Sequence, residues 1–208
     1  MKKLILGSSS KHRLELFKTI GFVPDKILAA DIDESWYKNE APKDLAIRLA
    51  KQKAECIFEM IKNEQNNILF AADSVVSVGN RVVDKALTDE DVRDRMQMLS
   101  GKNHRCYSAF CIIDITDSDI SKCKITSKCI ETRIKFKKLS NTDIEQMIAT
   151  KSGIGKAGGY GIQGFAESFV ISISGSVSNI MGFSTYNVRN TLLSLGLAPN
   201  FDGARGRT

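Results

Sequence analysis

The chain has 208 residues, of which 42% are hydrophobic and 26% charged, and its formal net charge is +6. This composition is that of a folded globular protein, and it excludes the disordered, collagen-like and coiled-coil classes. No apolar segment approaches the roughly 20 residues that a membrane-spanning helix needs, and the surplus of positive charge favours anionic partners.

Strands and helices are mixed along the chain, with both hairpins and crossover connections. The predicted strands lie at residues 4–6, 26–30, 68–72, 75–78, 81–83, 105–115, 125–137 and 169–174. The predicted helices lie at residues 11–20, 41–63, 88–100, from 142 onwards, and 184–195. This order predicts an α/β fold in which helices flank a mixed β-sheet. Residues 1–208 are expected to form a single domain with a loose polar tail at about residues 200–208.

Polar residues mark where several helices begin. Ser10 fits the N-cap of the first helix, and Gly21 fits its end. Thr88 with Asp91 resembles a capping box before the third helix. Thr142 with Glu145 predicts the start of a fourth helix in the same way.

The turn between the first strand and the first helix is rich in hydroxyl and basic groups. Three serines, residues 8–10, precede Lys11, His12 and Arg13. Free backbone N–H groups, the positive end of the helix and the charged fork of Arg13 together suit a phosphate group. A capped helix with a solvated basic first turn fits the same residues, so both interpretations stay open.

A glycine-rich segment, SGIGKAGGYGIQG at residues 152–164, contains the pattern G-x-G-x-x-G. Dinucleotide-binding folds place that pattern after a strand and before a long helix. Here a predicted helix precedes it and a strand-like segment follows, so this function is excluded. Two interpretations remain, a loop that offers Lys156 and backbone amides to an anion, or a plain glycine-rich turn.

Carboxylates follow two of the predicted strands. Asp31 to Glu34 come after the second strand, and Asp73 ends the third, between apolar runs where an unpaired carboxylate is costly to bury. Acidic residues at strand ends suit a hard cation such as Mg²⁺. Solvated loop residues are the alternative for each carboxylate taken alone.

Cysteines and basic residues bear on location and partners. The cysteine count of five is odd, and no C-x-x-C pattern occurs, which predicts reduced thiols in a cytoplasmic protein. The lysine-rich segment at residues 122–138 contains only Phe136 as an aromatic residue, which argues against nucleic-acid binding. We expect neither a nucleic acid nor a membrane as a partner, and a homodimer is left open.

These motifs, taken in order, resemble those of the Maf family of nucleotide pyrophosphatases over nearly the full length of the chain. The matching residues are Ser8, Ser10 and Arg13; Asp33-Glu34; Arg48 to Ala50 with Lys53-Ala54; Ala72 to Val76; Lys85; Leu99 to Gly101 with His104; Gly155 to Gly164; and Gly175-Ser176 with Ser178-Asn179 and Gly182.

The resemblance implies an α/β fold with two lobes around a central cleft, and cleavage of nucleoside triphosphates to the monophosphate and pyrophosphate. It implies that Asp73 is the catalytic base and that Glu34 helps to hold a divalent cation, Mg²⁺ or Mn²⁺. The residues implied in substrate binding are Ser8, Ser10, His12, Arg13, Lys53, Ser74, Lys85 and Gln163.

The chain departs from the family pattern at positions tied to substrate choice. His12 replaces an arginine and Ser74 a threonine, whereas Gln163 resembles the branch that acts on dTTP and UTP. We therefore do not assign a base. If the triphosphate favours protonated His12, nucleotide affinity should weaken between about pH 6 and 8.5.

Two other functions compete with the enzyme. A nucleotide-binding regulator of cell division with little turnover would keep the binding residues but needs no base. An RNA-binding module is a weaker alternative, because the basic residues lack interleaved aromatic residues.

Overall fold

The computed structural model describes residues 2–201 of the chain. Its strands are β1 (Lys3–Gly7), β2 (Lys26–Ile27), β3 (Asn67–Val78), β4 (Arg81–Val82), β5 (Asn103–Ile115), β6 (Lys124–Phe136) and β7 (Val170–Ser174). Its α-helices are α1 (Lys11–Thr19), α2 (Pro42–Ile61), α3 (Asp89–Leu99), α4 (Asn141–Ala149), α5 (Val177–Met181) and α6 (Thr185–Ser194). Short 3₁₀ helices span Ile120–Lys122 and Phe165–Phe169.

The strands form one mixed sheet in the order β2-β1-β3-β5-β6-β7, with β4 paired to β3 beside this path. β1 runs parallel to β2 and β3, whereas β3, β5, β6 and β7 are antiparallel neighbours. The pairing of β3 with β5 runs without a break from Asn67 opposite Ile115 to Ser77 opposite Arg105. The predicted α/β class with a mixed sheet is confirmed.

One edge of β3 is open in its middle. β1 stops where Gly7 lies opposite Ala71, and β4 pairs with β3 only from Ser77 opposite Val82. Over residues 72–75, β3 therefore has no strand partner on this side among residues 2–201. The gap separates the β1 part of the sheet from the β4 part.

Buried apolar side chains fill both lobes that the gap separates. In the first lobe α1 and α6 cover one face of the sheet around Phe17 and Phe70, and α2 covers the other face around Ile57. In the second lobe α3 and α4 pack with the glycine-rich segment around Met96 and Phe136. Strands β3 and β5 run through both lobes, which gives the predicted arrangement of two lobes around a cleft.

Four element predictions were wrong in detail. The second strand, predicted at residues 26–30, spans only Lys26–Ile27, because its pairing with β1 stops there. Residues 68–72 and 75–78 belong to one strand, so Asp73 lies inside β3 and does not end a strand, because the hydrogen bonds to β5 continue past it. The fourth helix begins earlier than Thr142: the Ser140 N–H donates to the Asp143 carboxylate at 2.8 Å, and the Asp143 N–H donates to Ser140 Oγ at 3.1 Å. The fourth error is the omission of α5, which is too short for its periodicity to show.

The other predicted helix ends are confirmed. Ser10 caps α1, and Thr88 with Asp91 forms a capping box before α3. Of the predicted tail, residues 202–208 lie outside the described residues, and the Asn200 N–H donates to the Gly21 carbonyl at 2.7 Å.

Candidate active site

A cavity of about 490 Å³ opens at the gap in β3. The turn after β1, the loop before α2, α2 itself, β3, the segment after β4 and the glycine-rich loop all contribute to its lining. All ten predicted site residues line it, namely Ser8, Ser10, His12, Arg13, Glu34, Lys53, Asp73, Ser74, Lys85 and Gln163.

The alternation of side chains along β3 divides the site into two halves. Asp73 and Ser74 are consecutive, so their side chains point to opposite faces of the sheet. Asp73 points toward α2 and contacts Lys53, whereas Ser74 points toward α1 and contacts Arg13. Because β1 has already ended at Gly7, both side chains border the open cleft.

Charged groups of opposite sign meet on the α2 side of the cleft. The ammonium group of Lys53 lies 2.5 Å from Asp73 Oδ1 and 2.6 Å from Glu34 Oε1. Lys85 Nζ lies 3.1 Å from the other oxygen of Glu34. Burial by itself raises the pKa of Glu34, but the hydrogen bonds and charges of Lys53 and Lys85 outweigh it and hold that pKa below its ordinary value.

Arg13 is held on the α1 side by neutral groups. Its guanidinium donates to Ser8 Oγ at 3.0 Å, to the Gly182 carbonyl at 3.3 Å and to Ser74 Oγ at 3.4 Å. Burial lowers the pKa of Arg13, although the group stays protonated at any working pH. It forms no ion pair with a carboxylate of the described chain, so its charge is available to an anion.

A line of three side chains crosses the rim of the cleft. Lys156 Nζ, from the glycine-rich loop, hydrogen-bonds to His12 Nε2, and the side-chain amide of Gln163 lies 2.9 Å from His12 Nδ1. Burial and then the positive charge of Lys156 lower the pKa of His12. The expected weakening of nucleotide affinity with rising pH considered only the effect of a nearby triphosphate on His12. The structure adds the ammonium group of Lys156, which lies against the His12 ring and favours its neutral form.

Comparison with known proteins shows which family the chain belongs to. The family model described as Maf-like protein matches residues 3–195. The chain belongs to the Maf-like protein family. The family predicted from the motifs is therefore confirmed.

Two named relatives illustrate what this Maf-like chain is similar to. It is 42% identical over 193 residues to the nucleoside triphosphate pyrophosphatase of Rickettsia akari (strain Hartford), covering 93% of this chain and 94% of the relative. It is 42% identical over 189 residues to the dTTP/UTP pyrophosphatase of Mesorhizobium japonicum, covering 89% of this chain and 88% of the relative. A solved HAM1 protein from Coxiella burnetii superimposes with a TM-score of 0.46 at 12% identity, covering 93% of this chain and 100% of that one.

The Maf-like cleft offers few ligands of its own to a divalent cation. Within residues 2–201, no three His, Cys, Asp or Glu side chains come together as a metal-binding group. Oxygens of Glu34 and Asp73 nevertheless converge on one cation, the ammonium of Lys53. Two carboxylates that leave room for water and phosphate oxygens are a donor set that fits Mg²⁺.

Sequence reasoning missed the buried groups that support Arg13 and Ser74. Ser74 Oγ and Ser108 Oγ are 2.7 Å apart, and Ser108 donates to the Asn179 carbonyl at 2.7 Å. The Asn179 side chain in turn donates to the Ile130 carbonyl at 2.9 Å. Asn179 lies in a matched family motif, but nothing in the sequence indicated that α5 lies under Arg13.

The glycine-rich segment does not have the strand-to-helix surroundings of a dinucleotide-binding motif, as the sequence predicted. The glycine-rich segment lies between α4 and the 3₁₀ helix Phe165–Phe169, and no long helix follows it in the part of the chain that the structure describes. Two isolated β-bridges join it to the chain after β4, one between Lys85 and Ala157 and one between Ala86 and Ile154.

Within residues 2–201, no helix has the length and apolar character needed to cross a bilayer.

Proposed function

We propose that this Maf-like protein hydrolyses nucleoside triphosphates to the nucleoside monophosphate and pyrophosphate, with a divalent cation and in the cytoplasm. The observation that carries the proposal is the buried carboxylate of Asp73 at the gap in β3, beside Lys53 and Arg13. The names of the two relatives support the same reaction. All five cysteines are free, and a reducing cytoplasm would keep them so.

Asp73 has the features of a general base. One of its oxygens, Oδ1, accepts a hydrogen bond from Lys53, and Oδ2 receives none from residues 2–201. Oδ2 is thus left to take a proton from the water that attacks the α-phosphorus. The ion pair with Lys53 holds the Asp73 side chain at the edge of the cleft.

Cationic side chains would hold the triphosphate. Arg13 offers a planar fork that suits phosphate oxygens, and Lys53 and Lys85 offer point charges on the other side. As the bond to pyrophosphate breaks, negative charge builds on the leaving group, and fixed cations stabilise it. Ser8 and Ser10 add hydroxyl donors at the start of α1.

Glu34 is the residue that would hold the divalent cation, close to the base Asp73. Bound there, Mg²⁺ or Mn²⁺ would neutralise phosphate charge and polarise the reacting phosphoryl group. Apolar side chains also contribute to the lining of the cavity, among them Tyr160, Ile162 and Met181, and such groups suit the flat face of a base. His12, Ser74 and Gln163 line the same cavity, and we propose that they select the base.

The test is a panel of common and methylated nucleoside triphosphates incubated with Mg²⁺ and scored for pyrophosphate release. We expect release from at least one substrate by the wild-type protein and strongly reduced release by Asp73→Asn. Nucleotide binding without pyrophosphate release from any member would reject the enzyme. That outcome would favour the regulator with little turnover.

A further inference from the structure

The segment that carries Lys156 is tied to the segment that carries Lys85. The Gly155 N–H donates to the Ala86 carbonyl at 2.7 Å, and the Ala86 N–H donates back to the Lys156 carbonyl at 3.2 Å. Lys85 and Ala157 form a further bridge between the two segments. The backbone of Lys156 is therefore fixed at the cleft, unlike that of a lysine on a free surface loop.

The ammonium group of Lys156 has a different kind of partner from the ammonium groups of Lys53 and Lys85. Lys53 and Lys85 each pair with a carboxylate. Lys156 is half-buried, and its partner among residues 2–201 is the His12 ring, with no carboxylate within ion-pair distance. Removal from water lowers the pKa of Lys156, as expected for a cation without a counter-charge.

The hydrogen-bonding pattern fixes the form of the His12 ring. An ammonium group can only donate, so Nε2 of His12 accepts and Nδ1 carries the hydrogen of the neutral ring. Gln163 then accepts from Nδ1 through its amide oxygen, after a half-turn about the last side-chain bond. His12 thus serves as a neutral acceptor that connects Gln163 to Lys156.

We propose that Lys156 is a nucleotide-binding residue of the cleft and that His12 is the positioning residue that holds its ammonium group there. Lys156 donates to an acceptor oxygen of the bound nucleotide, a carbonyl of the base or a phosphate oxygen. Position 12 contributes no charge itself, and its role is to accept the Lys156 hydrogen bond. The inference rests on the proposed function, because the nucleotide is the ligand of this cleft.

The experiment compares KM and kcat for the best substrate in wild type, Lys156→Met, His12→Leu, His12→Gln and the double variant Lys156→Met/His12→Leu. Lys156→Met should raise KM about tenfold to hundredfold, the cost of a lost charge-assisted hydrogen bond, with a smaller change in kcat. His12→Leu should raise KM less, and the double variant should match Lys156→Met alone. His12→Gln keeps an acceptor near the position of Nε2 and should restore most of the affinity.

Lys151→Met is the matched control, because Lys151 lies in the same connection but points away, pairing with Asp89 at 2.5 Å. It should leave KM unchanged. An active enzyme in which Lys156→Met also leaves KM unchanged would overturn the inference while the proposed function stands. Additive effects of His12→Leu and Lys156→Met would overturn the positioning role of His12. A wild-type protein that releases no pyrophosphate from any triphosphate would instead reject the proposed function.

Discussion

The proposed reaction depends most on Asp73, the general base. Its replacement by asparagine keeps the shape and a hydrogen-bond acceptor for Lys53 but removes the proton acceptor. We expect kcat to fall by roughly 10²–10⁴-fold, the usual contribution of a general base, with a smaller change in KM. Steady-state kinetics of the Asp73→Asn variant with saturating Mg²⁺ measure this directly.

Asp114 offers a matched control for that substitution. It is also a buried carboxylate of the sheet, and it pairs with Lys2 at 2.6 Å outside the cleft. Asp114→Asn should retain near-wild-type kcat while it loses a comparable ion pair. If Asp73→Asn keeps the activity of the Asp114→Asn protein, Asp73 is not the base.

Glu34 is the carboxylate that joins Lys53 to Lys85, and its substitution tests the metal site. A neutral amide is a poorer ligand for a hard cation, so Glu34→Gln should raise the Mg²⁺ concentration at half-maximal rate. Glu40→Gln, in the same loop but paired with Arg48, is the control and should behave as wild type. An unchanged Mg²⁺ requirement in Glu34→Gln would remove this residue from the metal site.

His104 makes the stability of the protein depend on pH. Its ring is buried beside Tyr160, and burial lowers the pKa of His104 to about 4. As the pH falls below the ordinary value of a histidine, the unfolded chain takes up a proton that the folded protein does not, so folding loses stability. The loss from this one group should reach about 2 to 3 kcal/mol at a pH of about 4.5.

Urea unfolding of wild type and His104→Gln at neutral and acidic pH checks this. Glutamine does not titrate in this range, so the variant should lose less stability on acidification by about 2 to 3 kcal/mol. Equal losses in the two proteins would mean that His104 is not buried in its neutral form.

At the scale of elements, the end of α5 is what sets the position of Arg13. Gly182 has a φ of 150°, and a Cβ atom there would lie 2.8 Å from Cγ of Arg13. Gly182→Ala should therefore displace the guanidinium group and raise KM about tenfold to hundredfold, as expected for charge-assisted hydrogen bonds. Steady-state kinetics with the best substrate would measure it.

Gly196→Ala is the control for the backbone strain that Gly182→Ala also introduces. Gly196 has a φ of 85° after α6, and a Cβ atom there would meet nothing within 4 Å. This variant should keep the wild-type KM even if its melting temperature falls. A Gly182→Ala protein that binds nucleotide as tightly as the Gly196→Ala protein would show that α5 does not determine the placement of Arg13.

Sequence patterns predicted the helix caps but not the full length of β3. The caps of α1 and α3 were predicted correctly, because each depends on hydrogen bonds between residues only three positions apart. The unbroken course of β3 was not predicted, because it depends on pairing with β5, whose residues lie between 28 (Ser77 with Arg105) and 48 (Asn67 with Ile115) positions further along the chain. A polar pair such as Asp73-Ser74 looks like a strand end when only local sequence is considered.

At the scale of the whole molecule, the cleft exists because β1 and β4 leave part of one edge of β3 uncovered. The ten residues that the motifs indicated all line one cavity, and their roles in it stay a prediction. The motifs could not predict the partners of those residues. The contact of Lys156 with His12 joins positions 144 residues apart, and the support of Ser74 by Ser108 and Asn179 crosses three elements.

In the proposed reaction, water attacks the α-phosphorus of a nucleoside triphosphate in this cleft. Turnover in water enriched in heavy oxygen, followed by phosphorus NMR and mass spectrometry of the products, tests it most directly. We expect the heavy oxygen to enter the nucleoside monophosphate and the pyrophosphate to appear intact and unlabelled. Release of orthophosphate with a nucleoside diphosphate, or label in the pyrophosphate, would contradict it.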